Sequence, residues 1–282
     1  MIQRQGQFNK KAYTLELFDS IDEYIKTIEA RPIADAWKYN RRAQEVRRTD
    51  RYNDPSWSGA KNYNDAREQF IAGTKAKTEL ARVYNQTQTS RKRQTVAAPC
   101  GGAPIVANAL RGIPNAMIDT RRKREPKTVR MVVNMTVSGM TRAEQITEAG
   151  RQIIAAAGRL DAQGIQTEIV CSNDHVLNGR QYASTAVIIK TAGHAFNAAR
   201  VSFSMSSPAF LRVFLFAALS GNDKAEYDSA YGYALTDAVT AQEAAEYQRA
   251  IYGPAITINL ARVIRQGAGV IDDAIKAWQA GR

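Results

Sequence analysis

The chain has 282 residues, 44% of them apolar, and a formal net charge of +12. That apolar fraction supplies a real core and excludes wholesale disorder, and the length suits one large domain or a compact domain carrying an extension. The longest apolar run, Phe210 to Leu219, falls short of the roughly 20 residues of a membrane-spanning helix and contains Arg212, so it reads as a buried helix. Met1 to Gln5 leads into no apolar leader core, and a cytoplasmic protein with no membrane partner is expected.

The positive charge is concentrated. Residues 1–30 carry −1, residues 31–130 hold 22 basic against 9 acidic side chains for +13, and residues 131–282 balance to 0. A solubility device would be spread more evenly, so this is the electrostatic footprint of a polyanion partner. In chain order, the first basic element is a predicted helix from Asp35 to Arg48. Ala36, Tyr39, Ala43 and Val46 recur at helical spacing, and Lys38, Arg41, Arg42 and Arg48 fall opposite them, broken only by Glu45. A second predicted helix runs from Asn64 to about Tyr84, with Phe70, Gly73 and Leu80 inward and Arg67, Lys75 and Arg82 toward solvent. Two loop-like clusters follow, Arg91-Lys92-Arg93 and Arg121-Arg122-Lys123-Arg124, the latter with Lys127 close behind.

Aromatic residues are interleaved with this charge. Trp37, Tyr39, Tyr52, Trp57 and Tyr63 lie beside Arg51 and Lys61. Unpaired bases stack on aromatic faces, each for roughly 1–3 kcal/mol, whereas duplex readers place a helix or ribbon in a groove. No zinc-finger spacing, basic-region zipper or RNP1-like run is present. The pattern therefore points to a single strand, although Trp37 and Trp57 suit a core equally well.

From Val129 the character changes. Val129 to Val137 resembles a central strand. Thr141 with Glu144 forms a capping box, and Ile146, Ile153, Ala157 and Leu160 mark a helix stripe ending near Gly164. Strands are predicted over Ile165–Cys171, Thr185–Ile189 and Ala255–Leu260. Ser206-Ser207-Pro208 opens a helix packed through Leu211, Phe214, Leu215 and Ala218. Thr240 and Glu243 cap another, and Val270 to Trp278 is the last. This alternation predicts a layered α/β core over 129–282, preceded over 1–128 by a mostly helical, strongly basic nucleic-acid-binding region packed with it, as one composite unit or two.

Catalytic patterns are lacking. There is no phosphate-binding Gly-x-x-x-x-Gly-Lys-Ser/Thr loop and no Gly-x-Ser-x-Gly elbow. Cys100-Gly101-Gly102 beside a proline reads as a turn rather than a nucleophile loop served by His175 or His194. Cys100 and Cys171 with those two histidines make a poor zinc set, and both thiols are expected reduced and mostly packed. Asp223, Asp272 and Asp273 are scattered acids without the clustering of a two-metal nuclease. No enzyme activity, cofactor or metal is expected.

The order strand, helix, then two successive strands resembles von Willebrand factor A domains, whose first strand ends in an Asp-x-Ser-x-Ser metal motif. The matching positions here are Asn134, Thr136 and Ser138, and asparagine removes the anionic ligand a hard cation needs. Across most of its length the chain also resembles the single-stranded-DNA-binding RNA polymerase cofactors of N-four-like podoviruses (Drc-type). That resemblance is carried by Trp57-Ser58-Gly59-Ala60-Lys61-Asn62-Tyr63, by Gly112-Ile113-Pro114-Asn115-Ala116-Met117 and by the Val129-to-Gly164 strand and helix. It implies preferential binding of single-stranded DNA and recruitment of a phage-encoded, heterodimeric RNA polymerase to DNA in an infected bacterial cell. The expected nucleic-acid contacts come from charge and aromatic placement alone: Lys38, Arg41, Arg42, Arg48, Arg51, Trp57, Lys61, Tyr63, Lys75, Arg91, Lys92, Arg93, Arg121, Arg122, Lys123 and Arg124. The alternatives are a phage interaction scaffold with a degenerate A-like domain whose basic half docks an acidic protein, and an RNA-binding protein. Assembly into a homo-oligomer is left open.

Overall fold

Val129 to Val133 offer an apolar or β-branched side chain at nearly every position, a pattern that suits a strand buried on both faces. In the computed structural model this run lies in β6 (Lys127–Asn134), an internal strand of a mixed sheet, one place in from its edge. The structure describes residues 1–30, 55–61, 63–88, 96–119, 127–177, 181–215, 233–235 and 239–280. The predicted helix from Asp35 to Arg48 and the clusters 91–93 and 121–124 lie outside them.

The described elements before β6 are β1 (Ile2–Phe8), β2 (Lys11–Phe18), α1 (Ile21–Ala30), α2 (Pro55–Ser58), α3 (Tyr63–Ala72), α4 (Lys77–Gln88), β3 (Val96–Ala98), β4 (Ala103–Pro104), α5 (Val106–Leu110) and β5 (Met117–Asp119). After it come α6 (Ala143–Ala162), β7 (Ile165–Leu177), β8 (Gln181–Lys190), α7 (Ala198–Ser206), a π-helical segment Phe210–Leu215, β9 (Tyr233–Ala234), α8 (Ala241–Tyr252), β10 (Ala255–Asn259), α9 (Leu260–Gln266) and α10 (Gly269–Ala280). The large sheet has the order β1-β2-β8-β7-β6-β10, with β9 added to β7. β6 is parallel to both β7 and β10, whereas β7 and β8 are antiparallel. The protein is thus a mixed α/β fold, and strand, helix and two successive strands occur in the expected order as β6, α6, β7 and β8.

The two sheet faces bury different sets. Met131, Val133, Ile169 and Cys171 face the larger cluster, which includes Ile153, Ala157 and Leu160 of α6, Phe203 of α7, Phe70 of α3 and Leu80 of α4. Val132, Val170 and Tyr182 face the smaller one, closed by Ala244, Tyr247 and Ile251 of α8. On the larger side α6 lets its neighbours approach closely at two glycines. A Cβ at Gly150 would collide with the backbone carbonyl of Met205, and one at Gly158 with the Thr87 hydroxyl. A buried polar knot ties the layers together. Lys190 Nζ sits 3.1 Å from Asp161 and donates to the Thr167 carbonyl at 2.7 Å; Asp161 accepts from the Thr167 N–H at 2.7 Å and from the Tyr84 hydroxyl.

Several local expectations are revised. The helical character expected before residue 128 holds for α1 to α4, but residues 2–18 form a hairpin and 96–119 contain a small sheet. Asn9 and Lys10 both have positive φ, 49° and 64°, which is the requirement of a two-residue turn whose twist matches its strands. The pairing of β2 with β8 carries this hairpin into the main sheet. The single helix expected over 64–84 is two, because Gly73 takes φ +82° and ends α3. The N-cap of α6 is Arg142, whose N–H donates to Gln145 Oε1 at 3.0 Å, one residue beyond the Thr141–Glu144 box. Ser206 ends α7, and Ser207 opens the next helical segment as expected: its Oγ accepts from the Ala209 N–H at 3.3 Å, residues 208–215 are helical, and Leu211, Phe214 and Leu215 are buried. The cap at the start of α8 is as expected: the Thr240 hydroxyl accepts from the Glu243 N–H at 3.2 Å.

Candidate nucleic-acid interface

The small sheet, order β3-β5-β4, is held by local contacts. Gly102 N–H donates to the Ile118 carbonyl at 3.0 Å, Ile105 N–H to Ala116 at 2.7 Å and Ile113 N–H to Asn108 at 2.9 Å. The segment Gly112 to Met117 is therefore the return from α5 into β5. Little of this unit is buried: Val106, Leu110 and Ile113 are 63%, 83% and 40% exposed.

Its register bears on the charge clusters. β3 and β5 are antiparallel, and Val96, the first residue of β3, pairs with Asp119, the last of β5. Arg93 precedes Val96 by three residues and Arg121 follows Asp119 by two. Both basic clusters therefore adjoin, in sequence, the two strand ends that pair in this rung.

The other expected contacts are placed as follows. Lys38, Arg41, Arg42, Arg48, Arg51, Arg91, Lys92, Arg93, Arg121, Arg122, Lys123 and Arg124 lie outside the described residues. Lys61 and Lys75 are exposed, as are Arg82 and Lys127, and Tyr63 is the first residue of α3. Arg67 is engaged with Glu29 at 3.3 Å. Trp57 is half-buried and has structural partners: its indole Nε1 donates to the Gly139 carbonyl at 2.6 Å, and the Arg212 guanidinium lies 4.3 Å from its ring centroid. One ring face is thus covered by Arg212. That guanidinium also donates to the carbonyls of Trp57 and, at 2.9 Å, Thr141. Arg212 is 8% exposed, and burial pushes its pKa down to about 10, so it stays charged at neutral pH.

The positions matching the A-domain metal motif serve the local turn. Asn134 is fully buried at the end of β6, and its Oδ1 accepts from the Thr136 N–H at 3.0 Å and the Thr136 hydroxyl at 2.8 Å. Ser138 Oγ accepts from the Met140 N–H at 3.3 Å. The asparagine oxygen is committed to these donors, and its amide nitrogen cannot ligate a cation. Nearby, the buried Asp174 carboxyl accepts from Ser172, Gln248 and Tyr252, and burial raises its pKa. His175 is also buried, which lowers its pKa to about 4. Among the described residues no three His, Cys, Asp or Glu side chains gather closely enough to hold a metal. Both cysteines are free thiols. Cys171 is buried, which raises its pKa, but Cys100 is exposed and not packed as expected, because the small sheet has no core to receive it. No helix among the described residues is long and apolar enough to cross a membrane.

The described residues form a mixed α/β fold. The chain belongs to the family described as Domain of unknown function (DUF7192), which matches residues 6–263. No curated protein and no solved structure matches it.

Proposed function

We propose that the protein binds single-stranded DNA in a sequence-tolerant way and acts as a transcription cofactor that brings a phage RNA polymerase to DNA. The observation that supports the binding half is the Val96–Asp119 rung: Arg91-Lys92-Arg93 come shortly before its first residue in sequence and Arg121-Arg122-Lys123-Arg124 shortly after its second. Seven cations flanking two paired strand ends in sequence are the charge a phosphate backbone calls for. The exposed Lys127 follows in the chain at the start of β6. Phosphate contacts of this kind fix a strand in place without reading its bases. The polymerase half rests on the resemblance to the podoviral cofactors.

A titration with labelled single-stranded DNA, duplex DNA and RNA of equal length tests the reading. Single-stranded DNA should bind tightest. If about six phosphates are neutralised, log affinity should fall with log salt at a slope of roughly −4. A slope near zero overturns the binding proposal. Equal or tighter binding of RNA transfers it to RNA.

A further inference from the structure

β1 is the outermost strand of the large sheet, and β2 is its one strand partner among the described residues. Its residues are exposed through Gln7 and half-buried at Phe8. An edge strand directs the N–H and C=O of alternate residues outward, and proteins usually blunt such an edge with proline, lysine, a bulge or short length. Arg4 is the one charged side chain of β1; proline, lysine, a bulge and short length are absent from it. The ladder with β2 runs unbroken from Ile2–Leu17 to Phe8–Lys11, and Ile2-Gln3-Arg4-Gln5-Gly6-Gln7-Phe8 contains no proline or lysine.

The sequence of this edge is complementary to itself. Two identical strands paired antiparallel are related by a two-fold axis normal to the sheet, which keeps each face on its own side, so only registers centred on a residue are allowed. Centred on Gln5, all seven residues pair. Ile2 then meets Phe8 of the second copy, Arg4 meets its Gly6, and Gln3, Gln5 and Gln7 form a ladder of amides on the other face. Centred on Arg4, two arginines would stand directly opposite each other, which is destabilising. Centred on Gly6, the ladder shortens and two glycines face each other. The structure also prepares the place that Arg4 of the second copy would occupy. The Tyr13 ring lies across Gly6, so close that a Cβ on Gly6 would stand 2.7 Å from Tyr13 Cε1. A guanidinium arriving opposite Gly6 meets that aromatic ring. We propose that β1 is a homodimerisation edge, pairing antiparallel with β1 of a second copy about an axis through Gln5 and joining two sheets into one. This inference is independent of the nucleic-acid reading.

The test uses the full chain with any affinity tag at its C-terminus and Cys100→Ala as background. Light scattering at tens of micromolar should give the two-chain mass. Gln5→Cys should cross-link to its own copy on mild oxidation, because directly opposed Cα atoms lie about 4.5–5.5 Å apart, within disulfide reach. Gln3→Cys alone should not, since its opposite is Gln7. Gln5→Lys places two lysines on the axis and should give the one-chain mass with an unchanged circular dichroism spectrum. A one-chain mass for the parent, a Gln3→Cys variant that cross-links as readily as Gln5→Cys, or a folded Gln5→Lys variant that stays two-chain each overturns the proposal.

Discussion

Replacing Trp57 by alanine distinguishes a base-stacking platform from a structural cover. The structure gives this side chain two definite partners: the Gly139 carbonyl, 2.6 Å from its Nε1, and the Arg212 guanidinium, 4.3 Å from its ring centroid. The hydrogen bond contributes about 1 kcal/mol net. The cation–π contact, with Arg212 only 8% exposed, contributes on the order of 1–2 kcal/mol. Removing both should cost about 2–3 kcal/mol, which in a chain of 282 residues lowers Tm by roughly 3–5 °C. Trp57→Phe, which keeps a ring over Arg212 but no indole N–H, should recover about half of the loss. The assay is a thermal melt and a single-stranded DNA titration on one preparation, with affinity read well below the variant's melting point. Affinity within twofold of the parent is expected. An unchanged Tm together with a tenfold weaker affinity would show that the ring stacks on a base, and would refute the reasoning from its packing.

Charge reversal at Arg121, Arg122, Lys123 and Arg124, or at Arg91, Lys92 and Arg93, should weaken binding to all sequences alike and flatten the salt slope; reversals in 131–282, where the charge balances, are the control, and a larger effect there would misplace the interface. His175 is neutral in the fold with a pKa near 4, against 6.5 when unfolded, so below pH 6.5 the unfolded chain binds the extra proton and stability falls with pH down to about 4. Chemical denaturation at pH 7 and pH 4 should show the parent losing about 3 kcal/mol more than His175→Gln; equal losses would mean that the imidazole is protonated in the fold. Lys190→Met leaves Asp161 buried without its cation and should cost about 3–5 kcal/mol, whereas adding Asp161→Asn should restore part of that in a double-mutant cycle. Additive effects of the two changes would show that the pair is not coupled.

Some of this protein was legible in its residues alone, for local reasons. The apolar, β-branched run at Val129 marks β6, the spacing of Ile146, Ile153, Ala157 and Leu160 marks the buried stripe of α6, and Thr240 with Glu243 marks the start of α8, because helix periodicity and capping are set by neighbours in sequence. The excess charge of residues 31–130 is likewise a property of composition. Other features depended on partners distant in the chain. The hairpin of β1 and β2 carries no strong turn signature at Asn9-Lys10, and β2 becomes an internal strand only because β8, far along the chain, pairs with it. A lone arginine in an apolar run gave notice of Arg212, but not that its charge would be satisfied by the carbonyls of Trp57 and Thr141 and covered by an indole. The sequence placed Trp57 among the basic residues; only the tertiary structure decided that one face of its ring belongs to Arg212. The two basic clusters were visible separately in the sequence; that the strand ends beside them, Val96 of β3 and Asp119 of β5, pair with each other was decided by the tertiary structure.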